Sequence, residues 1–230
     1  MGDNSHYLMP TYQIIHSKRK SIAIIIERDG RLVVRAPLRA TKVQIEALLA
    51  EKGKWIQEKQ ELNRTLWKAL APKTFIDGEE FLFLGKSYRL VIVKNQNQAL
   101  IFKDGFYFSR KAMKMAKAVF EKWYREQARR ILTERVNLFA QKHGFNYKGI
   151  RITSARTRWG SCGSQGSLNF PWRLVMAPMS VIDYVVIHEL VHLEEKNHSR
   201  KFWAKVESLM PGYKQRREWL KRNGDTLKLT

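Results

Sequence analysis

β-branched and aromatic residues gather in short runs in two stretches of the chain, and apolar residues recur at helical spacing in three others. In "SIAIIIERDGRLVVRAP" two β-branched runs flank Asp29-Gly30, the mark of a hairpin, and Pro37 closes it. Thr41 then stands where it can cap a helix running to about Leu70, with Val43, Ile45, Leu48, Leu49, Trp55 and Ile56 as its apolar positions. "APKTF" breaks that helix. Over 74–108, "GEEFLFLGKSYRLVIVK" and "ALIFKDGFYFS" read as strands with turns at Gly85 and Asp104-Gly105. From about Arg110 to His143 the period is helical again, through Ala116, Phe120, Trp123, Ile131, Leu132, Val136 and Phe139, and Gly144 stops it. "GIRITSARTRWGSCGSQGSLNFPWRLVMAP" reads as two strands around a Gly/Ser-rich loop, and the last third as helices at about 180–196, 200–210 and 213–223. The pattern predicts an α+β protein. A β-rich amino-terminal part with one long helix covers 1–108, and an α+β part covers 109–230.

Composition adds a core and a charge. Of the 230 residues 44% are hydrophobic and 11% aromatic, which excludes wholesale disorder. Lys and Arg number 43 against 21 Asp and Glu, and the net charge of +22 predicts attraction to polyanions, nucleic acid among them. The tail "YKQRREWLKRNGDTLKLT" is basic, with Tyr213 and Trp219 interleaved. A lone cysteine, Cys162, excludes an internal disulfide framework and is expected to pack as a small side chain. The amino-terminal stretch has no basic start followed by an apolar run, and "IAIII", Ile22 to Ile26, is too short to span a bilayer. The expectation is a cytoplasmic protein with no membrane partner.

The chemistry concentrates in "IHELVHLEEKNHSRKFW", residues 187–203, with three of the six histidines. His188, Glu189 and His192 form H-E-x-x-H. Residues four apart on a helix lie about 40° apart around its axis, so both imidazoles reach one ion while Glu189 projects alongside, where it can act on a water molecule. Ser180 and Asp183 fit a capping box, and Ile182, Val185, Val186, Leu190 and Leu193 give the helix a side to bury. His198 lies six residues after His192, past the polar "EEKN" expected to end the helix, with Ser199 placed to cap the next one. Three protein ligands with one open position is the pattern of catalytic zinc. Glu207 and Glu218 are competing third ligands, and His198 is preferred for its nearness to the motif. The longer H-E-x-x-H-x-x-G-x-x-H form has Gly where this chain has Glu195, so the turn here is built differently. His6, His16 and His143 have no ligand-like spacing.

Arg158-Trp159-Gly160-Ser161-Cys162, Trp172-Arg173-Leu174, the H-E-L-x-H-L core, Asn197-His198-Ser199 and Phe202-Trp203 together resemble the YgjP-like metallopeptidase family, related to the SprT and WLM groups. "SKRKSIAIIIERDGRLVVRAP" and "KWIQEK" resemble its amino-terminal half, so the likeness runs over about 12–223. The resemblance implies a zincin-like carboxy-terminal domain. In it His188, His192 and His198 hold one Zn2+ or another divalent ion, Glu189 is the general base, and Arg158 and Trp159 line the substrate cleft. It implies a peptide or protein substrate, although some members are linked to nucleoside triphosphate hydrolysis. A nucleotide therefore stays open as substrate, with Arg151, Arg156 and Arg158 as the guanidinium groups that could grip phosphate. A nucleic-acid-associated protease is the third reading.

Overall fold

The computed structural model describes residues 11–27, 30–70 and 72–229, apart from the side chains of 62–70. Two compact units divide at residues 71 and 72. In the first, β1 (Tyr12–Ser17) pairs parallel with β3 (Leu32–Pro37), which pairs antiparallel with β2 (Ala23–Ile26). Asp29 of the expected hairpin turn lies outside the described residues, and Gly30 takes a φ of 84°. Thr41 caps α1 (Lys42–Glu51): its hydroxyl accepts from the Gln44 amide while the Gln44 side chain accepts from the Thr41 amide. The expected single helix is two, because the chain leaves helical geometry at Lys52 before α2 (Gly53–Leu70). Leu32, Val34, Ala36, Ile45, Leu49 and Ile56 form this unit's own core.

The second unit takes the strands that composition had grouped with the first. β4 (Glu80–Phe83), β5 (Lys86–Val93), β6 (Leu100–Phe102) and β7 (Phe106–Ser109) form one sheet in the order β4-β5-β7-β6. Their aromatic face lies on α3 (Ala116–His143), where Phe81, Phe106 and Phe108 meet Phe120 at centroid distances of 4.4, 5.2 and 5.7 Å. The contact boundary therefore falls near 71 rather than near 109: this face can be buried only against α3. The Tyr124 hydroxyl, wholly enclosed, donates to the Leu82 carbonyl at 2.6 Å. Gly144 ends α3 in the left-handed region, with φ 73°.

A second small sheet has the order β8-β10-β9, from β8 (Gly149–Thr153), β9 (Ser161–Cys162) and β10 (Ser167–Pro171). β9 lies in the loop that patterning left without structure. Next comes α4 (Met179–Val191), apolar on nearly every side and buried at Val181, Ile182, Val185, Val186, Ile187, Leu190 and Val191. It does not start at Ser180: the Pro178 carbonyl accepts from Val181 and Ile182. Asp183 is not a capping partner either. Its carboxylate takes both branches of the Arg135 guanidinium, at 2.6 and 2.8 Å, which ties α4 to α3. The β4–β5 turn braces the same end of α4. Leu84 and Gly85 donate to the Val175 and Met176 carbonyls, and Gly85, at φ 78°, lies so close to Pro178 that a Cβ there would come within 2.7 Å of it. Helices α5 (Arg200–Leu209) and α6 (Tyr213–Asn223) complete the unit. Among the described residues no helix is long and apolar enough to cross a membrane.

Candidate metal centre

α4 ends at Val191 and His192 is its C-cap, still in the right-handed helical region at φ −64° and ψ −15°. His188 and His192 therefore stay on one face although the helix stops earlier than its sequence suggested. "EEKN" forms the turn after it, and Ser199 opens α5 by accepting from the Phe202 amide. His198 is carried on that turn. Its Nε2 lies 3.0 Å from Nε2 of His188 and 3.1 Å from Nε2 of His192.

Three converging imidazole nitrogens are a donor set for one cation. A tetrahedral ion about 2.1 Å from each nitrogen would space them roughly 3.4 Å apart, close to the separations seen. One N–H cannot point at two neighbours at once, whereas a central cation uses all three lone pairs. Two of the imidazoles, His188 and His198, lose basicity here. Burial, then the charges of His192, His198 and Arg217, push His188 down to about 3. Burial, then His192 and Arg217, lower His198. Nδ1 of His192 lies 2.9 Å from the Glu195 carbonyl and donates to it, leaving the Nε2 lone pair facing the cluster. Position 195 thus acts through its carbonyl, which a glutamate supplies as well as a glycine.

Sequence reasoning did not find what orients the rings. Phe202, fully buried at the start of α5, has its centroid 4.9, 4.5 and 4.8 Å from those of His188, His192 and His198. The Trp203 indole stacks on His198 at 5.4 Å and on Tyr213 at 5.2 Å, with the Arg217 guanidinium 4.7 Å from its centroid. A period-based reading sees Phe202 only as an apolar helix position. Tyr213 is buried and Trp219 half-buried, so the aromatics of the basic tail serve the core rather than a nucleic-acid surface. Glu207 accepts from the Gly212 amide and Glu218 pairs with Arg222, which places the competing carboxylates in other contacts.

Glu189 is only 4% exposed, and burial pushes its carboxyl up to about 8. Its Oε2 has no hydrogen-bond partner among the described residues. Gly160, just ahead of β9, is what makes room for it: a Cβ there would stand 2.3 Å from Oε1 and 2.6 Å from Cδ. Trp159 is half-buried, with the Arg173 guanidinium 5.9 Å from its ring and Gly224 against its indole. Arg158 is exposed. Cys162 is half-buried beside the core, and burial raises its thiol. His16, in the first unit, lies against the Pro37 carbonyl and His143 stacks on Phe139, while His6 lies outside the described residues.

A family model for the YgjP-like metallopeptidase domain matches residues 20–223, which makes this a metallopeptidase domain, a class that works with a divalent metal. The chain belongs to the YgjP-like family. A similar solved structure is the crystal structure of the metallopeptidase zymogen of Pyrococcus abyssi abylysin, at 20% identity and a TM-score of 0.36, covering 40% of this chain and 93% of that one. No curated protein matches the chain.

Proposed function

We propose that the chain is a zinc-dependent peptidase of zincin type, with its catalytic part in the second unit. His188, His192 and His198 hold the ion and Glu189 is the general base. The observation that carries this reading is the convergence of three Nε2 atoms beside a buried carboxylate, Glu189, next to His188 on α4. Bound zinc supplies acidity that makes water a nucleophile at neutral pH, and positive charge for a carbonyl oxygen. A dication held there would favour the ionised form of Glu189, because opposite charge favours a carboxylate that burial alone pushes up. Its unpartnered Oε2 then accepts a proton from water and returns it to the departing amide nitrogen. The Glu195 carbonyl keeps His192 in the tautomer that presents Nε2 inward. Peptides or unfolded proteins are the substrate class.

Glu189→Gln tests the assignment. Turnover of an unfolded protein should fall by about 10² to 10⁴-fold while metal content is kept. His188→Ala and His192→Ala should lose the metal. Full activity in Glu189→Gln would sink the mechanism. Nucleoside triphosphates assayed in parallel address the competing substrate class: Glu189-dependent cleavage of these alone would make the site a phosphoanhydride hydrolase.

A further inference from the structure

Arg156 and Arg173 line one cavity of about 150 Å³, together with Lys117 from α3 and Lys228 near the end of the chain. Four cationic side chains from separate parts of the second unit thus face a single recess. Ser154 adds a hydroxyl to its wall, and Glu121 the one carboxylate, which is engaged by Arg125 at 2.9 Å. None of the four cations forms an ion pair among the described residues.

Arg173 is the most firmly held of the four. One of its nitrogens donates to the Ala155 carbonyl, and its guanidinium lies over the Trp159 ring. Its Nε is buried and has no hydrogen-bond partner among the described residues. Burial first, and then the charge of Arg156, pull this guanidinium below its ordinary range. Stacking on Trp159 gives Arg173 a packing role, but packing does not explain why Arg156, Lys117 and Lys228 gather around it. Like charges around a half-buried recess raise the free energy of the fold, and so does a desolvated N–H left unpaired. An anion between them offsets the repulsion among the four charges.

We propose that this recess binds a phosphate group, as the free ion or as the terminal phosphate of a larger ligand. A dianion with several oxygens matches two guanidinium forks and two ammonium groups, where a carboxylate would leave most of the charge unanswered. At about 150 Å³ the recess has room for one phosphate rather than the length of a nucleic-acid strand. None of its lining residues belongs to the histidine cluster. The two places do share a segment: Arg173 holds the Ala155 carbonyl, and five residues later Gly160 abuts Glu189.

Calorimetric titration of inorganic phosphate into the metal-loaded chain, at ionic strength held constant with chloride, should show one site. Arg156→Gln and Lys117→Gln alter exposed side chains and should each weaken it about tenfold or more. Arg173→Met should abolish it, and the two exposed variants decide the matter if Arg173→Met does not fold. His198→Ala should bind phosphate as the parent does. Unchanged affinity in Arg156→Gln and Lys117→Gln would overturn the proposal, and so would loss of binding in His198→Ala alone, which would place the anion on the metal. A 5′-phosphorylated oligonucleotide that competes better than its 5′-hydroxyl form assigns a terminal phosphate, and no difference between them assigns the free ion.

Discussion

Gly160→Ala places one methyl group against the Glu189 carboxylate. The new Cβ would lie 2.3 Å from Oε1 and 2.6 Å from Cδ and Cγ. An ordinary contact needs about 3.5 Å, so the carboxylate must retreat by roughly 1 Å. Glu189 has little room for that, since it is only 4% exposed. Crowding of this kind costs about 1–3 kcal/mol of stability, a loss readable in a thermal melt. If Glu189 is the proposed base, the larger effect falls on chemistry, because a catalytic group displaced by about 1 Å commonly loses 10²-fold in rate. The three nearest atoms to the new Cβ all belong to Glu189 and none to the histidines, so under the proposed function metal content should stay at the parent level. The assay is turnover of an unfolded protein by metal-loaded Gly160→Ala, with metal analysis and a melt on the same sample. Full turnover by a folded, metal-replete variant would refute the placement of Glu189 as base. Loss of the metal would show that Gly160 supports the histidines instead.

Arg135→Met strands a carboxylate that is 14% exposed between α3 and α4, and should cost roughly 2–4 kcal/mol by denaturant titration. The double variant with Asp183→Leu should recover part of that loss. Phe202→Ala removes the ring beneath all three imidazoles, so it should cost about 3–5 kcal/mol and weaken metal binding in a chelator competition. Gly85→Ala combines a φ of 78° with a 2.8 Å approach to the Pro178 backbone; unfolding should become easier by more than about 2 kcal/mol, measured by thermal melt.

Periodicity carried most of the secondary structure because it records which face of each segment avoids water. It placed α3, the Gly144 stop and the Thr41 cap, each decided within a few neighbouring residues. It misplaced features that depend on distant partners. Ser180 and Asp183 have the spacing of a capping box, yet Asp183 is claimed by Arg135, 48 residues away, whose paired N–H groups bind a carboxylate better than one backbone amide does. The strands over 80–109 lie near the first unit in sequence and bury their aromatic face on α3 in the second.

At the site the division is the same. The sequence by itself determined that His188 and His192 share a helix face, since four residues make about one turn. It also pointed to His198 for the third position, with Glu207 and Glu218 as competitors. Only the tertiary structure brings the His198 Nε2 within 3.1 Å of both partners and turns the two glutamates to other contacts, which is what supports His198 in the proposed ligand set. The same holds for Gly160, Phe202 and the Arg156–Arg173 recess. Their contacts join segments well separated along the chain or on opposite sides of a turn, and no local period encodes a distance across the fold.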